Sequence, residues 1–191
     1  MARLFLLVLL LSTPPAALGM PPEPPPLAGK GLVILPAPVS SGELVFYEFP
    51  GVRRIGSFRQ GGLPMLTPAV RVKGGETALG VLSVREGWLR IACDASGREG
   101  WIELGNGWSY RPWEHYLPGR TIRPAPGLKE IAYRLRVSLT DRGVQDGAAS
   151  PGFPFLVRSV RDDWAAVETA GQPRGWLRWR DGDGRLLVTV E

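Results

Sequence analysis

Residues 84–104 read VREGWLRIACDASGREGWIEL, and residues 160–180 read VRDDWAAVETAGQPRGWLRWR. Each stretch has Val-Arg, two turn-prone residues, a Trp, a run of alternating character, a polar loop and then Gly-Trp. Trp88 precedes Trp101, and Trp164 precedes Trp176, by about one hairpin in each case. A fixed arrangement that occurs twice in one chain signals duplication. It points to paired small β-domains and away from a catalytic scaffold.

Alternation assigns faces to these strands, because successive side chains of a strand point to opposite sides. Leu89, Ile91 and Cys93 share one side of the first strand, with Trp88, Arg90 and Ala92 on the other. The first set is apolar and is expected to face the core. Ala165, Val167 and Thr169 share a side opposite Trp164, Ala166 and Glu168. Ile102 and Leu104 point away from Trp101 and Glu103, and Leu177 and Trp179 point away from Trp176 and Arg178. All four repeated tryptophans therefore fall on the non-core face. Two readings of that face are open. The rings cover outer surface or pack on the other domain, or Trp88 and Trp164 line a ligand groove, as flat aromatic rings with a polar edge often do.

Outward from the repeat, each copy gathers further short strands. In the first, Glu43 to Phe49 has strand composition and ends at Pro50-Gly51, and Val52 to Phe58 reads as another strand. Gly31 to Leu35 has the composition of a short strand, and residues 59–77, rich in Gly and Pro, read as a long irregular loop. Ala78 to Val84, Trp88 to Cys93 and Gly100 to Leu104 follow as three close strands. In the second copy Ile131 to Leu139 reads as a strand, residues 140–154 as loop, and Phe155 to Val160, Trp164 to Thr169, Gly175 to Trp179 and Leu186 to Val190 as strands. Short strands separated by turn signals predict an all-β chain with little or no helix. The first domain is placed at 40–104 and the second at 128–191.

Between them, residues 105–127 carry Trp108, Tyr110, Trp113 and Tyr116. Leaving such rings in water forgoes roughly 1.5–3 kcal/mol each relative to burial, so this segment is expected to pack between the domains. Pro112 to Leu117 predicts one helical turn, stopped by Pro118-Gly119.

The N-terminal residues MARLFLLVLLLSTPPAALG combine Arg3, an apolar run from Leu4 to Leu11 and small residues at 17 and 19. This is the pattern of a cleavable secretory signal over residues 1–19. Its apolar run is too short to span a bilayer, which takes roughly 20 residues, and no Cys follows it in the position of a lipid anchor. Residues 20–39 open with MPPEPPPL and read as a proline-rich spacer. The chain's one cysteine, Cys93, excludes an intramolecular disulfide. The net charge of +5 is spread thinly: residues 40–104 hold eight Lys/Arg against seven Asp/Glu, and residues 131–191 hold nine against eight. No basic block forms, so nucleic acid is not an expected partner.

The Gly-Trp pattern, the alternating apolar residues and the glycine-bearing loop resemble the closing half of bacterial Src-homology-3-like (SH3b) domains. Trp88 matches the family's Trp before the distal hairpin, and Gly97, Gly100, Trp101 and Ile102 match the turn and the strand after it. Trp164, Gly175, Trp176 and Leu177 match the same places in the second copy. The match covers about 25 residues of each copy, and the front halves depart from it. Glu103 and Arg178 stand where eukaryotic relatives carry the Pro that helps complete a proline-peptide groove, which argues against polyproline recognition. The resemblance implies two small five-stranded barrels in tandem, a non-catalytic role, and export to the bacterial envelope, periplasmic or secreted.

Catalytic constellations are sparse. Cys93 and His115 are the single residues of their types, and a mid-strand core thiol behaves as a small hydrophobe where a nucleophile needs an accessible, electropositive site. One His and one Cys make no zinc set without carboxylates. Asp181-Gly-Asp-Gly reads as a hairpin turn, not a calcium loop, because the expected bidentate Glu is missing. Asp162 and Asp163 also read as turn residues. The expectation is a non-enzymatic, cofactor-free and metal-free monomer that binds a protein, peptide or cell-wall polymer, with Trp88, Trp164, Trp101, Trp176, Tyr110 and Tyr116 as candidate ligand-binding residues. A regulatory or inhibitory subunit docking to one envelope enzyme, and a carboxylate-based enzyme, are the competing classes.

Overall fold

The computed structural model describes residues 25–37, 42–139, 144–169 and 172–191; side chains of 144–148 and 172–174 are not described. The secretory signal read over 1–19 lies outside the described residues, as does part of the proline-rich spacer. The chain is mostly β. Its strands are β1 (Gly31–Leu35), β2 (Glu43–Tyr47), β3 (Arg54–Arg59), β4 (Thr77–Arg85), β5 (Trp88–Ala92), β6 (Glu99–Glu103) and β7 (Ser109–Pro112), followed by one helical turn, α1 (Trp113–Tyr116). Then come β8 (Thr121–Pro124), β9 (Arg134–Arg136), β10 (Val144–Ala148), β11 (Phe155–Arg161), β12 (Trp164–Thr169), β13 (Gln172–Arg178) and β14 (Val188–Val190).

These strands make two antiparallel sheets of seven, ordered β3-β2-β6-β5-β4-β1-β7 and β10-β9-β13-β12-β11-β8-β14. The second order is the first with every strand moved on by seven. The duplication reaches into irregularities. The β4–β5 ladder shifts register between Val81 and Ser83, and the β11–β12 ladder shifts at the matching place, between Val157 and Ser159. Arg85 faces Trp88 across a two-residue turn in one copy, and Arg161 faces Trp164 in the other. Both turns have a residue in the left-handed region at the same point, Glu86 (φ 44°) and Asp162 (φ 50°). Such tight hairpins need positive φ so that their twist matches that of the strands.

Each sheet has seven strands where the sequence led us to expect five, and its hydrogen-bonded ladder ends at open edges, not in a closed barrel. The hairpin β2–β3, expected from the sequence, lays its first strand against β6; the additional strands are β1 and β7 in the first sheet and β8 and β10 in the second. The first sheet takes β1 from the segment read as spacer and β7 from the segment read as interdomain; β8, from that same segment, joins the second sheet. Two further expectations are corrected. Where Ile131 to Leu139 read as one strand, a 3-10 turn occupies Glu130–Tyr133 and only Arg134–Arg136 is extended. The Tyr133 hydroxyl pins that turn, donating to the Ala125 carbonyl at 2.8 Å and accepting from the Leu128 amide at 3.0 Å. Within 140–154, read as loop, Val144–Ala148 pairs with β9 through its backbone, without the side-chain alternation that would have announced it. The helical turn at Trp113–Tyr116 falls where expected, closed by the Leu117 amide on the Trp113 carbonyl at 3.0 Å.

Apolar side chains form two clusters. One lies inside the first sheet and collects Val33, Leu35, Phe46, Leu79, Val81, Leu89, Ile91, Cys93 and Ile102, with Leu63 from the 59–77 loop. The other fills the second sheet and extends to the first through Ala28, Leu32, Leu66, Ala69, Val70 and Ala78. Alternation explains the division: on β1, Val33 and Leu35 turn inward while Leu32, on the opposite side, joins the shared core. The 59–77 loop, though irregular, is held by both units. The Val190 amide donates to the Ala69 carbonyl (2.7 Å), and the Arg71 amide donates to the Val190 carbonyl (2.9 Å).

Candidate functional site

The core assignments made from alternation decide where the tryptophans stand. Leu89, Ile91, Cys93, Ile102, Ala165, Val167, Leu177 and Trp179 are all buried. Leu104 is not; it is 38% exposed, because β6 ends at Glu103. Trp88, Trp101, Trp164 and Trp176 are half-buried on the opposite faces.

In the first unit that face is aromatic. Trp101 sits directly across from Tyr47 on β2 and from Arg90 on β5. Trp88 meets the Tyr47 ring edge-on, with centroids 5.3 Å apart and planes at 86°. The β2–β3 turn then folds over the indole. Gly51, in the left-handed region (φ 68°), lies over it at ordinary contact range: a side-chain carbon there would sit 3.6 Å from the six-membered ring of Trp88. Beside it opens a cleft of about 670 Å³, lined by Phe49, Pro50, Ile55, Arg90, Glu99 and Trp101 among others. Three apolar residues of this hairpin stand in water: Phe49 is 57% exposed, Val52 75% and Ile55 43%. Clustered exposed apolar side chains mark interaction surfaces more often than chance scatter does. Both glutamates lining the cleft are paired, Arg90 with Glu99 at 2.5 Å and Arg53 with Glu48, and Arg85 and Arg98 add positive charge to its wall.

The floor of the cleft depends on Gly100. A side-chain carbon at that position would lie 2.9 Å from Phe46 and 3.1 Å from the Cys93 sulfur. The glycine of the first Gly-Trp pair thus lets Phe46 and Cys93 close the core beneath Trp101. The distal loop beyond β5 is tied by Asp94, whose carboxylate accepts from the Ser96 amide (2.9 Å), the Ser96 hydroxyl (2.6 Å) and the Arg98 side chain (2.5 Å). These hydrogen bonds hold the Asp94 pKa down at about 2.

In the second unit the equivalent face is aromatic and cationic. Arg136 takes the place of Tyr47, directly across from Trp176, and its guanidinium stacks 4.3 Å from the Trp164 centroid. Arg178 pairs with Trp164 in register and lies 5.8 Å from the same ring. Arg161 lies 5.9 Å from the Trp176 ring.

The structure therefore separates the six candidates. Trp88 and Trp101 share one face, and Trp164 and Trp176 share its counterpart. Tyr110 is half-buried against the first unit's core, where burial raises its pKa. Tyr116 is 3% exposed, inside the shared core, so its ring offers no face to an outside molecule. Of the four aromatics of 105–127, Trp113 and Tyr116 pack between the units, as expected for the segment, while Trp108 and Tyr110 pack on the first unit. Sequence reading missed Tyr47, Arg136 and the exposed hairpin tip. The signal for Tyr47 was present in ELVFYEF, where alternation from the core residue Phe46 puts Val45 and Tyr47 outward.

Other chemistry-bearing residues have local roles. Cys93 is 1% exposed, and burial, with Asp94 nearby, pushes its thiol up to about 11. His115 is exposed on α1. Asp181 closes the predicted hairpin turn by accepting from the Asp183 and Arg185 amides at 3.0 and 2.8 Å. Asp163 occupies its turn and also receives Arg180 at 2.7 Å. Among the described residues, no three His, Cys, Asp or Glu side chains converge as a metal-binding group. No family model matches the sequence, and a search of curated proteins gives no match either.

Proposed function

We propose that the protein is an exported, non-catalytic binding module of the bacterial cell envelope, built from two SH3-like units. Each unit would recognise a protein, peptide or cell-wall polymer through its tryptophan-bearing face. The observation that carries this reading is the repeated face itself. Two sheets of identical strand order each present a Trp at the close of a tight hairpin and a second Trp on the next strand. The first adds a cleft of about 670 Å³ beneath a hairpin with exposed Phe49, Val52 and Ile55. Concave, mostly apolar sites with a few polar groups are the usual form of a binding site, and half-buried aromatic anchors carry much of the affinity in such sites. The short antiparallel strands and the tight Trp-bearing hairpin of each sheet support the SH3-like reading. The leader-like residues 1–19 support export.

The test is capture of partners from an envelope fraction by mature protein, with purified wall as competitor, comparing the unaltered chain with Trp88→Ala and Trp164→Ala. Loss of specific capture in a variant that is still folded at the temperature of the assay supports the reading. Undiminished capture by both variants places the binding surface elsewhere.

A further inference from the structure

The two units present the same face with different charge. In the first, Trp88 is met by Tyr47, and Trp88 pairs in register with Glu103. In the second, Trp164 is met by Arg136 and pairs in register with Arg178. An aromatic and a carboxylate have thus been replaced by two guanidinium groups at matching places in the sheet. Arg161, across the hairpin from Trp164, matches Arg85 of the first unit, so the second face keeps that cation and gains two more.

Among the described residues these cations are poorly compensated. Arg136 and Arg161 have no carboxylate partner among the described residues. Arg178 donates its Nε–H to the Arg180 carbonyl at 3.1 Å and reaches Asp163 only at 3.8 Å, while Asp163 is committed to Arg180 at 2.7 Å, so part of the Arg178 guanidinium is still available. Glu168, on the same side of β12, is paired with Arg158. Arg136, 4.3 Å from the Trp164 centroid, is the one held over an indole at close range; stacking of that kind steadies a guanidinium plane while its N–H edge can meet a carboxylate with two parallel hydrogen bonds.

From this we infer that the Trp164 face of the second unit, through Arg136, Arg161 and Arg178, docks an extended acidic peptide segment of a protein partner. Arg161 and Arg178 lie on β11 and β13, either side of the β12 strand that carries Trp164. Neighbouring strands are about 4.8 Å apart, so their backbones are separated by about 10 Å. A peptide in the polyproline II conformation covers about 9 Å in three residues, one full turn, so positions i and i+3 return to the same side. The ligand would cross the strands with carboxylates at positions i and i+3 straddling the Trp164 ring. This inference rests on the binding-module reading but names a partner for one face only.

The experiment titrates the mature chain with a fluorescently labelled peptide carrying Glu at every third position between Ser and Gly. Controls are the same peptide with Gln for Glu, and a phosphodiester-linked polymer of equal charge. Binding of the Glu peptide is expected to exceed that of the Gln peptide at least tenfold and to weaken steeply with salt. Arg136→Gln combined with Arg161→Gln should reduce it by tenfold or more, and His115→Gln, on the exposed side of α1, should leave it unchanged. Thermal unfolding of each variant distinguishes a lost surface from a lost fold, and Arg136→Lys keeps the charge without the planar fork if the Gln variant unfolds. Equal binding of the Glu and Gln peptides, or Glu-peptide binding insensitive to the Arg changes, overturns the inference. Binding of the polymer in place of the peptide overturns it as well. Envelope capture that depends on Trp88 in the same preparations would show that the broader reading survives such a failure.

Discussion

The indole of Trp113 lies 5.3 Å from that of Trp179, tilted by 48°, and its N–H donates to the Ala28 carbonyl at 2.9 Å. One ring comes from the helical turn between the two sheets, the other from the end of the second repeat, and the acceptor precedes the first strand. This one contact joins three parts of the chain that are far apart in sequence. Around it the Arg180 guanidinium donates to the Gly29 carbonyl at 2.7 Å, and the Ala28 amide donates to the Gly184 carbonyl at 2.8 Å. A unit of this size buries only about 60% of its unfolded surface and is marginal alone. The shared core supplies what neither sheet has.

Trp113→Ala should therefore destabilise the whole chain by roughly 3–5 kcal/mol, the usual cost of removing a buried large aromatic. Trp113→Phe keeps much of the volume but leaves the buried Ala28 carbonyl without its donor, a loss of roughly 1–3 kcal/mol. Denaturant unfolding followed at both far-ultraviolet and tryptophan signals should show one transition moving to lower denaturant. A variant in which only one of two separate transitions moves would mean that the sheets unfold independently.

Residues 40–104, the boundaries suggested by the sequence repeat, should not fold cooperatively. The fragment lacks β1 and β7, so β4 loses its partner strand and the core loses Val33 and Leu35. Residues 25–191 should show a cooperative thermal transition under the same conditions. A sharp transition for 40–104 would refute the assignment of β1 as an integral strand.

What the sequence disclosed and what it withheld follow from where the information lies. The faces of β5, β6, β12 and β13 were legible because strict alternation around a Trp leaves a single apolar set, and Leu89, Ile91, Val167 and Leu177 are buried accordingly. Burial of Trp113 and Tyr116 was legible from the cost of exposing them. The strand order was not, since the pairing of β1 with β7 joins segments separated by most of a unit, and no local pattern encodes it. The strand at 144–148 was hidden for a related reason: Val-Gln-Asp-Gly-Ala looks like a turn and is extended because β9 offers it a backbone ladder. The candidate site was half legible. The tryptophans declare themselves, whereas Tyr47 and Arg136 become neighbours of those rings only through the pairings of β2 with β6 and β9 with β13.

Trp88 and Ile91 provide the test of face. Ile91 is 1% exposed in the first core, whereas Trp88 is half-buried under the β2–β3 turn. Ile91→Ala should cost roughly 2–5 kcal/mol. Trp88→Ala should cost less, since it gives up partial burial and one edge-on contact worth roughly 0.5–1.5 kcal/mol. Equilibrium unfolding of the two variants ranks them; the reverse order would invert the face assignment.

Cys93 ties the first core to pH. Its thiol is held up at about 11 from an ordinary value of 9.0, by burial first and by Asp94 second. A group whose pKa is raised in the folded state contributes stability that is fully present below its unfolded value and is lost as pH rises through its folded value. For Cys93 that window runs from about pH 9, where the unfolded thiol begins to ionise, to about 11. Unfolding midpoints of residues 25–191 should fall across it, and the fall should be shallower in Cys93→Ala, since other alkaline groups are common to both. The same burial makes a second readout. At pH 8 a thiol reagent should label Cys93 at the rate of unfolding, many times more slowly than it labels the chain in denaturant, because the nucleophilic thiolate is both scarce and unreachable. Labelling of the folded protein at the rate of a free thiol would mean that Cys93 is accessible, and that the core beneath Gly100 and Trp101 opens without global unfolding.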